Sequence, residues 1–247
     1  IASTSLKNAE IIPVSAHSGE NIDLLSQRLL TLSSEVPGRR TGGQFRMAID
    51  RNFVLQGTGR VIAGTVLSGE VRSEDRIRLL PQDIELRIRG IHAQNTASEK
   101  ATAGERSALN ITGGDLKRLE IHRGDWAVAE GARFTSTKID TEVTVLSTEA
   151  RPLRNRTPVH LHIGAADITA RVITLEGQEI QPGESALVQL QLNKAVNTVY
   201  GDRFVLRDQS AFRTIGGGNV LDPSPMIRGR NKATRLAFLK TQITPDT

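Results

Sequence analysis

The chain has 247 residues, no cysteine, and 38% hydrophobic and 24% charged residues, the balance of a soluble globular protein with room for two ordinary domains. The lack of cysteine excludes disulfides and thiolate metal centres and fits a reducing compartment, and no apolar run approaches the roughly 20 residues that a membrane-spanning helix needs. A net charge of +5 favours an anionic partner such as nucleic acid, while 3% aromatic residues argue for a grip through backbone charge and shape rather than base stacking.

The first residues, Ile-Ala-Ser-Thr-Ser, carry neither an initiating methionine nor a basic-then-apolar leader. A fragment or processed chain without signal peptide is therefore expected. Ile11-Ile12-Pro13-Val14 reads as a short buried strand, followed by a Ser15-Ala16-His17-Ser18-Gly19 loop. Ile22, Leu25, Leu29 and Leu32 then recur at helical spacing, with Asn21 as candidate N-cap and Pro37 past the end. Such a strand-loop-helix is the building unit of an α/β nucleotide-binding sheet, and alone it cannot cover its apolar face. Pro37 to Gly43 is a linker by composition.

From Gln44 the helical period gives way to period two. Phe45, Met47 and Ile49 alternate with Arg46, Ala48 and Asp50, so a half-buried strand is predicted that gives out at Asp50-Arg51. Gly57-Thr58-Gly59 supplies a turn, and Val61, Ile62, Thr65 and Val66 resume with β-formers. No helix comes after these glycines, which excludes a dinucleotide loop. Further alternating runs reach Gly131, and Gly90 before Ile91 suggests a bulge. A second set of alternating runs, from Val143 to Leu206, completes a mainly β chain of two consecutive barrels behind the last strand-helix unit of an α/β domain. From Met226 the chain turns basic, and Leu236, Leu239 and Ile243 return to helical spacing, read as a linker helix or a frayed tail.

Chemistry-bearing motifs are few. His160 and His162 share a strand face and could chelate a metal, but no third ligand sits nearby in sequence. Asn193-Lys194 lacks the aspartate of a guanine-reading N-K-x-D, and no phosphate loop or nucleophile elbow is present. As it stands, the chain has no machinery for nucleotide hydrolysis. Arg51 and Arg106 could be plain surface charges paired with Asp50 and Glu105.

Several tracts resemble a known family. Ser15-Ala16-His17-Ser18-Gly19-Glu20 resembles the last guanine-nucleotide motif of translational GTPases, which would place Ser15, Ala16 and His17 at the guanine, with a backbone N–H facing its carbonyl. The run Phe45 to Gly69, with Ala103-Gly104-Glu105-Arg106 and Arg123-Gly124-Asp125-Trp126, resembles the second-domain barrel of the elongation factor Tu family. Gly201 to Asp208, with Arg213-Thr214-Ile215-Gly216-Gly217-Gly218, is similar to the closing strands of its third domain. Ala48-Ile49-Asp50-Arg51 and Thr157 to Gly164 resemble the selenocysteine-specific branch.

The resemblance implies four parts: a GTPase-domain remnant plus linker at 1–41, barrels at 42–133 and 134–225, and a basic linker helix at 226–247 leading toward a winged-helix region. It implies an aminoacyl pocket of Asp50, Arg51 and Arg106 for selenocysteyl-tRNA, with weaker tRNA contacts at Arg207 and Arg213 and no metal ligand. It also implies a cytoplasmic monomer that meets the ribosome and, through the missing C-terminal region, an mRNA hairpin. GTP or GDP with Mg²⁺ would belong to the full-length protein. The alternatives are another translational GTPase, such as a gamma-type initiation factor, or a β-barrel interaction module without RNA binding.

Overall fold

The computed structural model describes residues 8–35, 42–94, 96–116, 118–226 and 228–243, in two units. In the first unit the predicted helix forms as α1, Ile22–Glu35. The stretch 11–14 joins no ladder, because the unit's one backbone bridge among the described residues is Ser15 with Glu20. A strand needs a partner for its N–H and C=O groups, and the side chains are not covered either: Ile11 and Val14 are exposed. Asn21 flanks the helix with a φ of 57°. Its side chain donates to the Pro13 carbonyl at 2.9 Å instead of accepting from the first turn as an N-cap would. Most of the predicted linker lies outside the described residues.

The second unit holds the two barrels. The first is built from β1 (Arg46–Leu55), β2 (Gly59–Ser68), β3 (Arg76–Leu80), β4 (Ile84–Ala93), β5 (Arg106–Thr112) and β6 (Trp126–Val128). Their order is β3-β6-β1-β2-β5-β4, closed by pairing of β4 with β3. Met47, Ile49, Ile62, Leu79, Ile88 and Leu109 fill its interior. The second barrel comprises β7 (Ser136–Val145), β8 (Pro158–Ile163), β9 (Ala166–Thr174), β10 (Ser185–Val196), β11 (Arg203–Arg207) and β12 (Thr214–Asp222). It closes in the order β7-β10-β9-β8-β11-β12 around Ile139, Leu161, Val172, Leu190 and Leu206. Closure pairs the six barrel strands of each sheet on both sides, which is how both barrels bury apolar strands safely, and only the short strand Thr96–Ser98 hangs on the end of β4 in the first.

Register shifts decide which side chains of the first barrel face outward. β1 does not give out at Asp50-Arg51. It continues to Leu55, and its register against β2 shifts between Ile49, opposite Gly64, and Arg51, opposite Ala63. One extra residue reverses the facing of all later side chains. Met47 and Ile49 are therefore buried, whereas Arg51, Phe53 and Leu55 are exposed. Gly64 makes the close approach possible: a Cβ there would stand 2.0 Å from the Ala48 carbonyl oxygen. The bulge expected at Gly90 also forms, between Ile88 and Gly90, against β5.

Arg46, 3% exposed, joins the barrels. Its guanidinium lies 4.7 Å from the centroid of the Trp126 ring and donates to Asn197 at 2.8 Å and to Asp202 at 2.7 and 3.2 Å. Trp126 in turn packs against Gly164, where a Cβ would come 2.8 Å from the ring. After the second barrel, α2 (Ala233–Thr241) packs back onto it. Leu239 joins Leu175, Leu187 and Leu221 in a cluster with Leu236 and Ile243 against it. Arg235 reaches the fully buried Asp140 at 2.5 Å and Asp222 at 2.6 Å.

Candidate functional site

The strand registers lay out one outer face on β1, β2, β5 and β4. Arg51 stands opposite Ala63, Ala63 opposite Ala108, and Ala108 opposite His92. The next row runs Phe53, Val61, Asn110 and Gly90. On the other side Thr65 faces Arg106, whose carbonyl accepts from the Gln94 N–H at 3.1 Å. Apart from Thr65, these residues line a cavity of about 600 Å³. Its floor is short because the two central residues are alanines, while longer polar side chains stand around them.

Of the three residues expected to form this pocket, the structure brings Arg51 and Arg106 to the same cavity, with Asp50 at its rim. The bulge is the cause, since without it Arg51 would face the core. The two cations are not equivalent. Arg106 is held by Asp50 in a two-pronged ion pair, Nη2 to Oδ1 at 2.9 Å and Nη1 to Oδ2. That hydrogen bonding raises the Arg106 guanidinium above the usual arginine range, against a smaller opposing effect of burial. Arg51 is exposed and, among the described residues, makes no ion pair. Glu105, the other carboxylate considered for this region, instead accepts the Thr102 N–H at 2.8 Å. The Asp50–Arg106 pair is part-exposed, with side-chain accessibilities of 27% and 48%. Such pairs contribute about 1 kcal/mol or less, enough to aim Arg106 but not to lock it.

His92, Gln94, Ala63 and Ala108 belong to this cavity and carry no motif signal. Only the register across four strands assembles them. Arg46 was also invisible as a functional residue, because its partners Asn197 and Asp202 lie 151 and 156 positions away.

The other candidates fall elsewhere. Ser15 bridges Glu20, and its hydroxyl accepts the Ser18 N–H at 3.2 Å, leaving Ala16 and His17 exposed in a tight turn. Arg207 donates to the Ala211 carbonyl at 3.1 Å, and Arg213 is engaged by Glu149 and lies 3.8 Å from Asp208. Both sit on the β11–β12 hairpin. His160 and His162 do have a carboxylate neighbour that local sequence spacing hides. Asp167, opposite His162 on β9, lies 2.8 Å from His160 Nδ1, a hydrogen-bond distance, and 3.9 Å from His162 Nε2. Among the described residues, no group of three such ligands has the arrangement to hold a metal ion.

Comparison with known proteins gives a consistent picture. Residues 140–226 match the family described as selenocysteine-specific elongation factor, beta-barrel domain, and residues 59–128 match elongation factor Tu domain 2. The selenocysteine-specific elongation factor of Desulfomicrobium baculatum is 36% identical over 90% of this chain and 35% of its own length. That of Escherichia coli K12 is 37% identical over 94% of this chain and 35% of its own length. This chain thus spans about a third of these relatives. The crystal structure of translation elongation factor SelB from Methanococcus maripaludis in complex with the GTP analogue GppNHp superposes with a TM-score of 0.76 at 26% identity, covering 90% of this chain and 53% of that one.

Proposed function

Because this chain belongs to the selenocysteine-specific elongation factor family, we propose that it binds selenocysteyl-tRNA through the outer face of its first barrel, as part of a longer protein that delivers it to the ribosome under GTP control. One observation carries this reading: the cavity over Ala63 and Ala108 presents the guanidinium of Arg51, without an ion-pair partner among the described residues, together with that of Arg106. A selenol is more acidic than a thiol, so selenocysteine is an anion at neutral pH and serine is not. Guanidinium groups favour that anion by Coulomb attraction and charge-assisted hydrogen bonds, about 1 to 4 kcal/mol at 4 Å between water-like and surface-like dielectric. A seryl hydroxyl in the same place leaves the cations uncompensated.

In this reading residues 1–41 are the tail of a GTPase domain, with Ser15, Ala16 and His17 at the guanine of GTP or GDP and Mg²⁺ at the phosphates. Residues 42–133 and 134–225 are its second and third domains, and Arg207 and Arg213 approach the tRNA body. Residues 226–247 start the connection to a C-terminal region that reads an mRNA hairpin. The protein works as a cytoplasmic monomer.

The test uses the full-length protein and one tRNA charged with selenocysteine or serine. Arg106→Ala should lose roughly 1–3 kcal/mol of preference for selenocysteine, the scale of a hydrogen bond to a charged group. An unchanged preference would sink the pocket assignment.

A further inference from the structure

The segment between β10 and β11, residues 197–202, is held from two sides. From the first barrel Arg46 enters it, donating to Asn197 and to both oxygens of Asp202. Asp202 also stiffens the segment itself, accepting from the Thr198 hydroxyl at 2.9 Å and the Val199 N–H at 3.0 Å. From the other side Tyr200 donates its hydroxyl to the Gln242 carbonyl, at the C-terminal end of α2, at 2.8 Å. The same few residues therefore carry the barrel seam and the end of the helix.

A second route runs through β12. The Gly201 N–H donates to the Val220 carbonyl at 2.8 Å, and the Val220 N–H to the Asp202 carbonyl at 2.9 Å. Two residues further on, Asp222 stands opposite Asp140 of β7, and Arg235 of α2 bridges the two carboxylates. Without Arg235 these like charges would face each other across adjacent strands, beside the register shift between Asp140 and Thr141.

Alone, α2 is a poor helix. It has nine residues, and Lys232 at its N-terminus makes no side-chain cap bond, so it forms only while docked. Docking joins the fully buried Leu239 to the Arg235 bridge and the Lys240–Glu176 pair. A guanidinium that needs both carboxylates and a leucine that needs its cluster favour an all-or-none step.

We propose that α2 is a strap with a docked and a released state, and that its docking and the closure of the barrel seam stabilise one another through residues 197–202. Whatever draws α2 off the second barrel loosens the grip on Arg46, and whatever opens the seam loosens α2. Such coupling is reciprocal by thermodynamic necessity, and here it runs through one named two-state element. It holds whichever ligand the first barrel takes.

The test is native-state hydrogen exchange on the full-length protein, followed in α2, in residues 197–202 and in residues 45–49. Leu239→Ala acts at the helix and Arg46→Ala at the seam, and among the described residues Arg46 has no ion pair with α2. Leu239→Ala should raise exchange in α2 by about 30-fold or more, as the loss of a buried leucine does. It should also raise exchange in residues 45–49 by about fivefold or more, the lower end of couplings between sites. Arg46→Ala should raise exchange in α2 by about the same fivefold. Thermal unfolding of each variant confirms that folded proteins are compared. Where Leu239→Ala unfolds the barrel, Tyr200→Phe decides the same question, since it removes one surface hydroxyl and should raise exchange in α2 about fivefold and in residues 45–49 with it. If the helix variant leaves residues 45–49 at the original rate, or Arg46→Ala leaves α2 at its original rate, strap and seam are independent and the proposal is overturned.

Discussion

Arg106 and Arg235 carry the same charge in environments that make different demands. Arg106 is part-exposed and its pair with Asp50 can open to water at little cost. Arg235 is 7% exposed, and its partner Asp140 is fully buried, with its second oxygen satisfied by Gln189 at 2.9 Å. Removing the guanidinium there leaves a buried carboxylate without a counter-ion. Arg235→Ala should therefore destabilise the second barrel by about 3–5 kcal/mol in denaturant unfolding, while Asp50→Asn should cost under about 1 kcal/mol. A loss below about 1 kcal/mol for Arg235→Ala would mean that water reaches Asp140. The same contrast separates an arginine whose ion pair lies open to water from one that is locked into the fold.

At the scale of the element, the bulge in β1 does more for the site than any single side chain. It lets one strand contribute Met47 and Ile49 to the core and Arg51 and Phe53 to the outer face. Gly64 is the residue that permits it, lying against the Ala48 and Ile49 backbone. Gly64→Ala would drive a methyl group into the Ala48 carbonyl, so the β1–β2 pairing must separate or slip. A destabilisation of roughly 1–3 kcal/mol, the range for overpacking, is expected, with faster amide hydrogen exchange confined to β1 and β2. Uniform exchange rates matching the original protein would show that the strands accommodate the methyl group. In the helix α2 the leucines are legible as a helical stripe, but the stripe alone could not say whether it faced another domain or its own barrel. Leu175, Leu187 and Leu221, all buried beside Leu239, answer for the barrel.

Across the whole second unit, the two barrels are fastened by polar and apolar contacts at one seam. Arg46 is engaged by Asn197, Asp202 and Trp126, and Asn197 donates onward to the Ala132 and Phe134 carbonyls at 2.9 and 2.7 Å. A carboxylate partner, an amide and an aromatic face satisfy the buried guanidinium from different sides. Arg46→Ala should uncouple the barrels, splitting one calorimetric unfolding transition into two. A single unchanged transition would mean that the Trp126–Gly164 contact suffices. A fixed seam matters to the proposed function, because a tRNA held at its aminoacyl end by one barrel and along its body by the other needs the distance between them to be constant.

Much of this fold could be read from the residues alone, since period-two alternation and turn residues are local and each strand announces them independently. The class of the fold, the two runs of strands, the Gly57–Gly59 hairpin and the Gly90 bulge all have such local causes. The same is true of the exclusion of a phosphate loop. What local pattern cannot contain is register between strands far apart in sequence. Asp50 and Arg106 are 56 positions apart, and Arg46 and Asp202 are 156. Continuing the alternation through Asp50 would have sent Arg51 inward, and only the close passage of Gly64 over the Ala48 backbone turns it out to the cavity. The sequence by itself determined which residue types could form a cationic pocket on a β-barrel. The tertiary structure decided which cation carries no ion pair among the described residues, which is held by its own carboxylate and which is consumed in joining the barrels, because side-chain facing and ion pairing depend on a register that a single inserted residue reverses.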